Sequence, residues 1–472
     1  MSGFTQLLLA LVIVLLVVLV MVAFRRTQTS NIYRDNIYLD NNGTTKPHRE
    51  VVDAIQRASY YGNASATYSN AAKIEMQQLR EKAAAWADAP VDKYHVVITS
   101  GASEANNLIL RSVVELYASK EMKPHIILSA VEHKTSLECV DRMSEVGAIE
   151  FTIVEPTKEG LIRPEDVQAA IKPNTALISI MSGNNETGAL MNIAGIAQVA
   201  SQNNVAFHTD AVQTFGKHRP RMNELGVDAL SMSFHKMHGP MGIGLLIIKK
   251  TLDIEAQIAG TQNYHMRGGT ENIPAIAGAV KALDITLKDR EAKNAELQAK
   301  KDYIINYLSS KMMVLDFDAY RGLDDETAES VARDGIQYDA LSGGKSGARG
   351  VDDNPKGIVF LGPVDKKIPD NRSNPNTILL SIISLSDIMG KQHPYNRFCN
   401  IKLRSDLAAQ NVVLSIGSAC NTGEKGASHV LHALDAPFVV RCGVVRISLS
   451  DYTTMREVRA FCHKFHDALK LQ

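Results

Sequence analysis

The chain has 472 residues, of which 45% are hydrophobic and 22% are charged, so it can bury a large core and is expected to form more than one domain. Its 51 basic and 51 acidic residues give a formal net charge of zero. This balance excludes the overall attraction to polyanions that nucleic-acid-binding proteins have, and we expect no nucleic-acid partner.

The N-terminus contains an unbroken apolar run, residues 7–24, that is rich in Leu and Val. About 20 apolar helical residues cross the hydrocarbon of a membrane, so the run predicts a transmembrane anchor within residues 1–26. A cleaved signal peptide or a buried segment is the alternative, but no basic residue precedes the run. Arg25, Arg26 and Arg34 follow it and predict a single-pass membrane protein whose main body is cytoplasmic.

A linker and N-terminal arm, residues 27–44, lead to short apolar runs that alternate with helical patterns. Such runs are typical of strands buried on both faces, and the alternation indicates a mostly parallel sheet. The predicted strands are 95–99, 125–129, 176–181, 205–210, 229–234 and 244–249, with helices at 75–87, 104–118 and 193–202. We therefore predict an α/β fold whose large domain, residues 45–290, has a helix-flanked sheet with ligands at the carboxyl ends of its strands.

The remaining residues, 291–472, predict a smaller α+β C-terminal domain that begins with a charged helix and ends with a helix at 454–469. Within it, residues from about 320 to 394 form a predicted polar insertion. Gly344-Lys345-Ser346 resembles part of a phosphate loop, but it lacks the full spacing and a bracketing strand and helix. A surface insertion is the favoured interpretation.

A small turn with Gly101 follows the predicted strand 95–99 and opens a helix. Backbone N–H groups and the positive end of the helix dipole can hold an anion at such a turn. Ser103 can equally be an ordinary helix N-cap, and this turn alone does not decide between the two.

Two charged residues lie at the ends of buried strands. Asp210 would lie at the edge of the cleft, where a buried carboxylate needs a partner such as a protonated pyridine nitrogen; a helix N-cap is the alternative. Lys236 precedes a Gly/Pro-rich turn, although most lysines lie on solvated faces. It is a candidate for a covalent bond to an aldehyde cofactor, which requires a depressed pKa.

Nine short stretches are spread across nearly everything after residue 36. They are YLDNNGTT at 38–45, SGASEANN at 100–107, EHK at 132–134, NNETG at 184–188, HTDAVQ at 208–213, SFHK at 233–236, RGGT at 267–270, GSAC at 417–420 and RIS at 446–448. Together, and in this order, they resemble the cysteine desulfurases of the NifS/IscS type, which are fold-type-I pyridoxal-phosphate enzymes of the class V aminotransferase family.

The resemblance implies a site for pyridoxal 5'-phosphate. The residues that it implies for the phosphate are Ala102, Ser103, Ser233 and His235, together with Thr270 reaching the phosphate of the neighbouring subunit. It therefore implies a homodimer with shared sites.

The same resemblance implies contacts to the ring of the cofactor and to the substrate. His133 would stack on the ring and assist proton transfer, and Asp210 would pair with the pyridine nitrogen. The residues implied near the phenolic oxygen are Asn185 and Gln213, and Lys236 would bind the cofactor covalently. Arg446 would bind the substrate carboxylate, for which its two-pronged donor geometry is suited; Asn185 would lie near the substrate as well.

The five cysteines are scattered, odd in number and without paired CxxC spacing, which predicts neither a metal site nor a disulfide framework and favours a reducing compartment. Four of them are interpreted as small buried hydrophobic residues: Cys139, Cys399, Cys442 and Cys462. Cys420 differs because it lies in a stretch of small residues, 417–428, which suits a mobile loop that brings a nucleophilic sulfur to the substrate.

The activity that the resemblance implies is conversion of L-cysteine to L-alanine, with the sulfur carried by Cys420 as a persulfide. A sulfur-acceptor or iron–sulfur scaffold protein is then the expected partner. The alternatives are a selenocysteine lyase or another aminotransferase-like enzyme and, in a different class, a non-catalytic membrane-tethered scaffold. The chain departs from the family where the usual Gly-Gly-Gln-Glu reads Ala259-Gly-Thr-Gln262, in the polar insertion and in the predicted anchor.

Overall fold

A computed structural model describes residues 36–66, 69–117, 123–317, 356–363, 372–384, 400–416 and 428–471. The predicted anchor and the predicted sulfur carrier Cys420 lie outside these ranges. The strands are β1 (Ile37–Tyr38), β2 (Tyr94–Thr99), β3 (His125–Ser129), β4 (Glu150–Val154), β5 (Thr175–Ser179), β6 (Ala206–Asp210), β7 (Ala229–Ser233), β8 (Gly244–Lys249), β9 (Met313–Leu315), β10 (Lys356–Leu361), β11 (Thr377–Ser384), β12 (Val412–Val413), β13 (Ser415–Ile416) and β14 (Val444–Ser448).

The described ranges also contain α-helices, numbered here in chain order. They are α1 (Arg49–Ala58), α2 (Asn70–Ala87), α3 (Ala102–Tyr117), α4 (Lys134–Glu145), α5 (Pro164–Ala169), α6 (Ile193–Gln202), α7 (Met222–Leu225), α8 (Ile273–Leu287), α9 (Arg290–Lys311), α10 (Asn400–Ala409), α11 (His429–Ala433), α12 (Phe438–Cys442) and α13 (Met455–Lys470).

The large sheet has seven strands in the order β2-β8-β7-β6-β5-β3-β4. The strand β8 runs in the opposite direction to the other six strands, which are all parallel to one another. The predicted mostly parallel α/β fold is therefore confirmed. All six predicted strands are present with ends within one or two residues. The edge strand β4 was not predicted, because only one of its five residues is buried and it lacks a continuous apolar run.

A hydrophobic core lies on each face of the large sheet. Successive residues of a strand point to opposite sides, so neighbouring residues belong to different cores. Ile127 and Leu245 pack with Ile276 of α8 in one core. Ile126 and Leu246 belong to the opposite core, with the helices α3 and α4. Burying one such side chain stabilises the fold by about 1.5–3 kcal/mol.

The second sheet has the order β13-β14-β11-β10-β9 and is mainly antiparallel. Its strands β10 and β11 lie inside residues 320–394, the range predicted as a polar insertion, and the insertion itself stays a prediction. The buried runs around Ile358 and Leu380 are short, and polar sequence flanks them on both sides. The sequence pattern therefore did not indicate strands there. The strands β1 and β12 pair in parallel as a separate two-stranded sheet. The division into domains near residue 290 stays a prediction.

The predicted localisation, a single-pass membrane protein with a cytoplasmic catalytic domain, is wrong. Across the helices of the described ranges, none combines the length and the apolar character that a membrane crossing requires. The longest, α9, has 22 residues but carries charged side chains along its length, which are costly in hydrocarbon. The apolar run on which the prediction was based lies outside the described residues.

Candidate active site

Lys236 lies at the carboxyl end of the large sheet, in the single 3₁₀ turn Phe234–Lys236 that follows the fully buried strand β7. Its Nζ donates hydrogen bonds to the backbone carbonyls of Asn42 and Gly43, each at 2.5 Å. Burial and then the positive charge of Arg446 lower the pKa of Lys236 to about 8, against the opposing charges of Asp40 and Asp210. A larger fraction of the amine is therefore neutral and nucleophilic at neutral pH.

Asp210 ends the adjacent strand β6 and is 5% exposed. Its Oδ2 accepts a hydrogen bond of 2.7 Å from Asn106 Nδ2, and its Oδ1 accepts one of 2.9 Å from Val212 N. The alternative of a helix N-cap is not realised, because turns follow Asp210. A carboxylate fixed in this way can face a cation in the cleft.

His133 caps the helix α4 beside the start of α3. Its Nδ1 accepts a hydrogen bond of 3.2 Å from Thr135 N, so the proton of the neutral ring is on Nε2. Thr135 Oγ1 also lies 3.3 Å from Ser103 Oγ, which joins the two helix starts. Burial is the main cause that lowers the pKa of His133; Asp210 opposes it.

Three of the predicted phosphate residues lie at or beside the start of α3: Ala102, Ser103 and Ser233. Ala102 is its first residue, and the preceding Gly101 lies against Ser233, since a Cβ at position 101 would be 3.9 Å from Ser233 Oγ. His235 Nδ1 lies 3.2 Å from Thr44 Oγ1, while burial lowers the pKa of His235 to about 4. A helix start with hydroxyl groups beside it fits a phosphate.

Thr270 stands apart from this group. It is exposed in the single chain, and none of the described contacts brings it to the other predicted phosphate residues. The sequence assigned it to the neighbouring subunit's site, and that assignment stays a prediction.

Arg446 comes from β14 of the second sheet and reaches the same cleft. Its Nη2 donates a hydrogen bond of 2.7 Å to Asp40 Oδ1, and its Nη1 donates one of 3.2 Å to the carbonyl of Asn185. The Nε of Arg446 is buried without a partner. The carboxyl ends of β6 and β7 and the strand β14 thus surround one cleft with Lys236 between them.

Two buried amides connect these groups. Asn42 Nδ2 donates to the carbonyl of Asn185 at 3.0 Å, and the carbonyl of Asn42 accepts from Gln213 Nε2 at 3.3 Å. Gln213 Oε1 is buried and has no partner. Because buried polar atoms are nearly always paired, this orphaned oxygen indicates that a polar ligand completes the site.

Several residues of the site were missed by sequence reasoning: Asp40, Asn42, Asn106, Glu132 and His429. Asp40, Asn42, Asn106 and Glu132 lie within the stretches that carry the family resemblance, and this was the only signal in the sequence. Burial raises the pKa of Glu132 to about 8, although Ser129 Oγ and Met181 N donate to its Oε1 at 2.5 and 2.8 Å. His429 Nε2 lies 2.8 Å from the carbonyl of Glu132.

The cysteines in the described ranges are buried, as predicted for Cys139, Cys442 and Cys462. Burial raises the pKa of Cys462 to about 12 and also raises that of Cys139. Thiols with raised pKa values are poor nucleophiles. Cys399 and Cys420 lie outside the described residues.

Known proteins resemble the chain over most of its length. A family model described as Aminotransferase class-V matches residues 37–332. The cysteine desulfurase IscS of Dictyoglomus turgidum is 30% identical over 427 residues, which cover 89% of this chain and 91% of that protein. The mitochondrial cysteine desulfurase of Saccharomyces cerevisiae is 27% identical, with 95% and 79% covered.

Solved structures also resemble the chain over most of its length. A NifS-like protein matches with a TM-score of 0.72 at 25% identity, over 93% of this chain and 100% of that one. The structure described as SspA in complex with cysteine matches with a TM-score of 0.64 at 26% identity, over 88% and 99%.

Proposed function

The chain belongs to the class V aminotransferase family and, within it, to the cysteine desulfurases of the NifS/IscS type, and on this premise we propose that it converts L-cysteine to L-alanine and transfers the sulfur. The observation that carries the proposal is the convergence of Lys236, Asp210 and Arg446 on one cleft. These three provide a reactive amine, a fixed anion and a carboxylate receptor.

The cofactor of this family is pyridoxal 5'-phosphate, and the residues present fit it. We propose that the start of α3 holds the phosphate with Ser103, Ser233 and His235. Asp210 would hold a proton on the pyridine nitrogen, and Gln213, with its orphaned Oε1, would lie beside the ring with Asn185. When bound, the cofactor supplies a sink for the electron pair released at the substrate Cα.

The roles of the protein side chains follow from their chemistry. Arg446 would bind the carboxylate of cysteine, and Lys236, with a pKa of about 8, would hold the cofactor and then move the α proton. His133 would assist as a proton acceptor, since desolvation lowers its pKa against the opposing effect of Asp210.

Sulfur transfer is assigned to Cys420. Its thiolate would attack the sulfur of the bound cysteine, so that an S–S bond forms and the C–S bond breaks. The electron pair of the C–S bond would stay with the substrate carbon, which takes up a proton, and alanine leaves. The described chain resumes at Ser428, eight residues after Cys420, where Ser428 Oγ donates to Glu186 Oε2 at 2.7 Å and His429 Nε2 lies 2.8 Å from the carbonyl of Glu132. The persulfide would then pass to an acceptor such as an iron–sulfur scaffold protein.

A homodimer is also proposed. Thr270 is exposed in the single chain, and the same segment exposes Ile258 and Tyr264, which are 45% and 41% accessible. Exposed apolar side chains beside a functional loop support an interface. An active monomer in light scattering would exclude the shared site.

The function is tested by incubating the purified protein with L-cysteine and measuring alanine and protein-bound persulfide together. Equal amounts are expected in the first turnover without a reductant. Alanine without any persulfide would point to direct elimination, and the absence of both would overturn the proposal.

A further inference from the structure

Asp40 is a charged residue in the cleft to which the resemblance assigns no role. Its Oδ1 pairs with Arg446 Nη2 at 2.7 Å, and the two side chains are 28% and 13% exposed. A charge-assisted hydrogen bond of this length that is largely removed from water is stronger than a surface ion pair. Arg446 therefore has a counter-ion within the protein before any substrate arrives.

Arg446 is held at both of its terminal nitrogens. Asp40 accepts from Nη2, and the carbonyl of Asn185 accepts from Nη1 at 3.2 Å. A guanidinium carries five N–H donors, so these two contacts fix its plane while leaving donors over, including the buried Nε that has no partner. The protein thus orients the guanidinium but leaves some of its N–H donors available for a substrate.

Gly43 makes room for the carboxylate of Asp40. A Cβ built on Gly43 would lie 2.8 Å from Asp40 Oδ2 and 3.1 Å from Oδ1. The backbone N of Gly43 donates to the carbonyl of Asp40 at 3.0 Å, so the turn is folded tightly. Any side chain at position 43 would displace the carboxylate.

The same turn reaches the reactive lysine. The carbonyls of Asn42 and Gly43 accept from Lys236 Nζ, only two and three residues after Asp40. The charge of Asp40 favours the protonated form of Lys236, against the larger effect of burial and the effect of Arg446. One turn thus connects the carboxylate receptor to the lysine.

We propose that Asp40 is a positioning residue that aims Arg446 at the substrate carboxylate, with Gly43 leaving space for the Asp40 side chain. The proposal rests on the proposed function, in which Arg446 binds the carboxylate of cysteine. Asp40 acts from the protein side, together with the backbone carbonyl of Asn185, and does not compete with the substrate.

The test compares Asp40→Asn, Asp40→Glu and Gly43→Ala in the full-length holoenzyme, with Asp92→Asn at an exposed site as the control for lost charge. Asp40→Asn should raise the KM for cysteine about tenfold or more, with kcat changed far less, because a charge-assisted contact to the receptor is lost. Gly43→Ala should raise KM in the same direction although it retains the charge. Asp40→Glu should recover part of the loss, and Asp92→Asn should match the wild type.

Two further measurements separate positioning from damage to the fold. In an Arg446→Ala background, Asp40→Asn should add no further loss, since it acts through Arg446. Affinity for L-alanine, measured by calorimetry, should fall in parallel with the rise in KM. If Asp40→Asn does not fold, Gly43→Ala carries the test.

The proposal is overturned if Asp40→Asn leaves KM and the affinity for L-alanine unchanged, or if it lowers KM, which would mean that Asp40 competes with the substrate. A wild-type protein that makes no alanine would instead overturn the proposed function. In that case, the affinity for L-alanine still tests Asp40, because it requires no turnover.

Discussion

Asn106 and Asp210 are joined by a hydrogen bond of 2.7 Å between Nδ2 and Oδ2, although 104 residues separate them in the chain. Asn106 lies on α3, whose start forms the proposed phosphate site, whereas Asp210 ends β6. One side chain therefore ties the helix beneath the phosphate to the carboxylate proposed for the pyridine nitrogen.

Replacing Asn106 should weaken cofactor binding. In Asn106→Ala, Asp210 Oδ2 loses its donor, so the dissociation constant for pyridoxal 5'-phosphate should rise about tenfold, as expected for one hydrogen bond to a charged group. Titration of the cofactor-free protein, followed by visible absorption, measures the constant.

Asn107→Ala is the matched control on the same helix, because within the described ranges its Nδ2 donates to the backbone carbonyl of Ser103 and not to Asp210. It should bind the cofactor like the wild type. Equal cofactor affinities for the wild type, Asn106→Ala and Asn107→Ala would show that Asn106 does not contribute to cofactor binding.

Cofactor attachment and substrate binding should separate in two variants. Lys236→Ala should abolish the visible absorption of the lysine-bound cofactor. Arg446→Ala should retain this absorption but raise the KM for cysteine about ten- to a hundredfold, because a charge-assisted contact is lost. An unchanged spectrum in Lys236→Ala would assign the covalent bond to another lysine.

Glu132 should make stability depend on pH in a defined direction. Burial raises its folded pKa from 4.5 to about 8, so the folded chain holds a proton that the unfolded chain has released. The stabilisation is full below pH 4.5 and is lost as the pH rises through about 8. Glu132→Gln retains the shape but cannot ionise, and it should therefore be more stable than the wild type above pH 8 by a few kcal/mol.

Denaturant unfolding at pH 5 and pH 9 measures this difference. At pH 5 the two proteins should nearly agree, and at pH 9 the variant should unfold at higher denaturant. Glu138→Gln changes an exposed carboxylate on α4, which begins two residues after Glu132, and should show no such trend. A constant difference at both pH values would contradict the raised pKa.

The sequence predicted those parts of the molecule that depend on local pattern. The strands β6 and β7 are short and mix apolar with polar residues. Asp210, at the end of β6, and Lys236, three residues after β7, stood out because charged residues are unusual at such places. The sequence did not predict Asp40 as the partner of Arg446, because 406 residues separate them and no local pattern encodes the contact. Polar partners that meet across two sheets become visible only in the fold.

The last prediction concerns the residue that distinguishes a desulfurase from other pyridoxal-phosphate enzymes. Cys420→Ser replaces an ionisable thiol with a hydroxyl that stays protonated at neutral pH. The variant should fold, bind the cofactor and still change its absorption on mixing with cysteine, because Lys236, Asp210 and Arg446 are unaltered. Alanine should fall to background, and mass spectrometry should find no persulfide on the peptide that contains position 420. Serine at Cys139 or Cys442, both buried, should leave turnover largely intact apart from packing losses. Wild-type rates of alanine formation in Cys420→Ser would show that another group takes the sulfur or that it leaves by direct elimination.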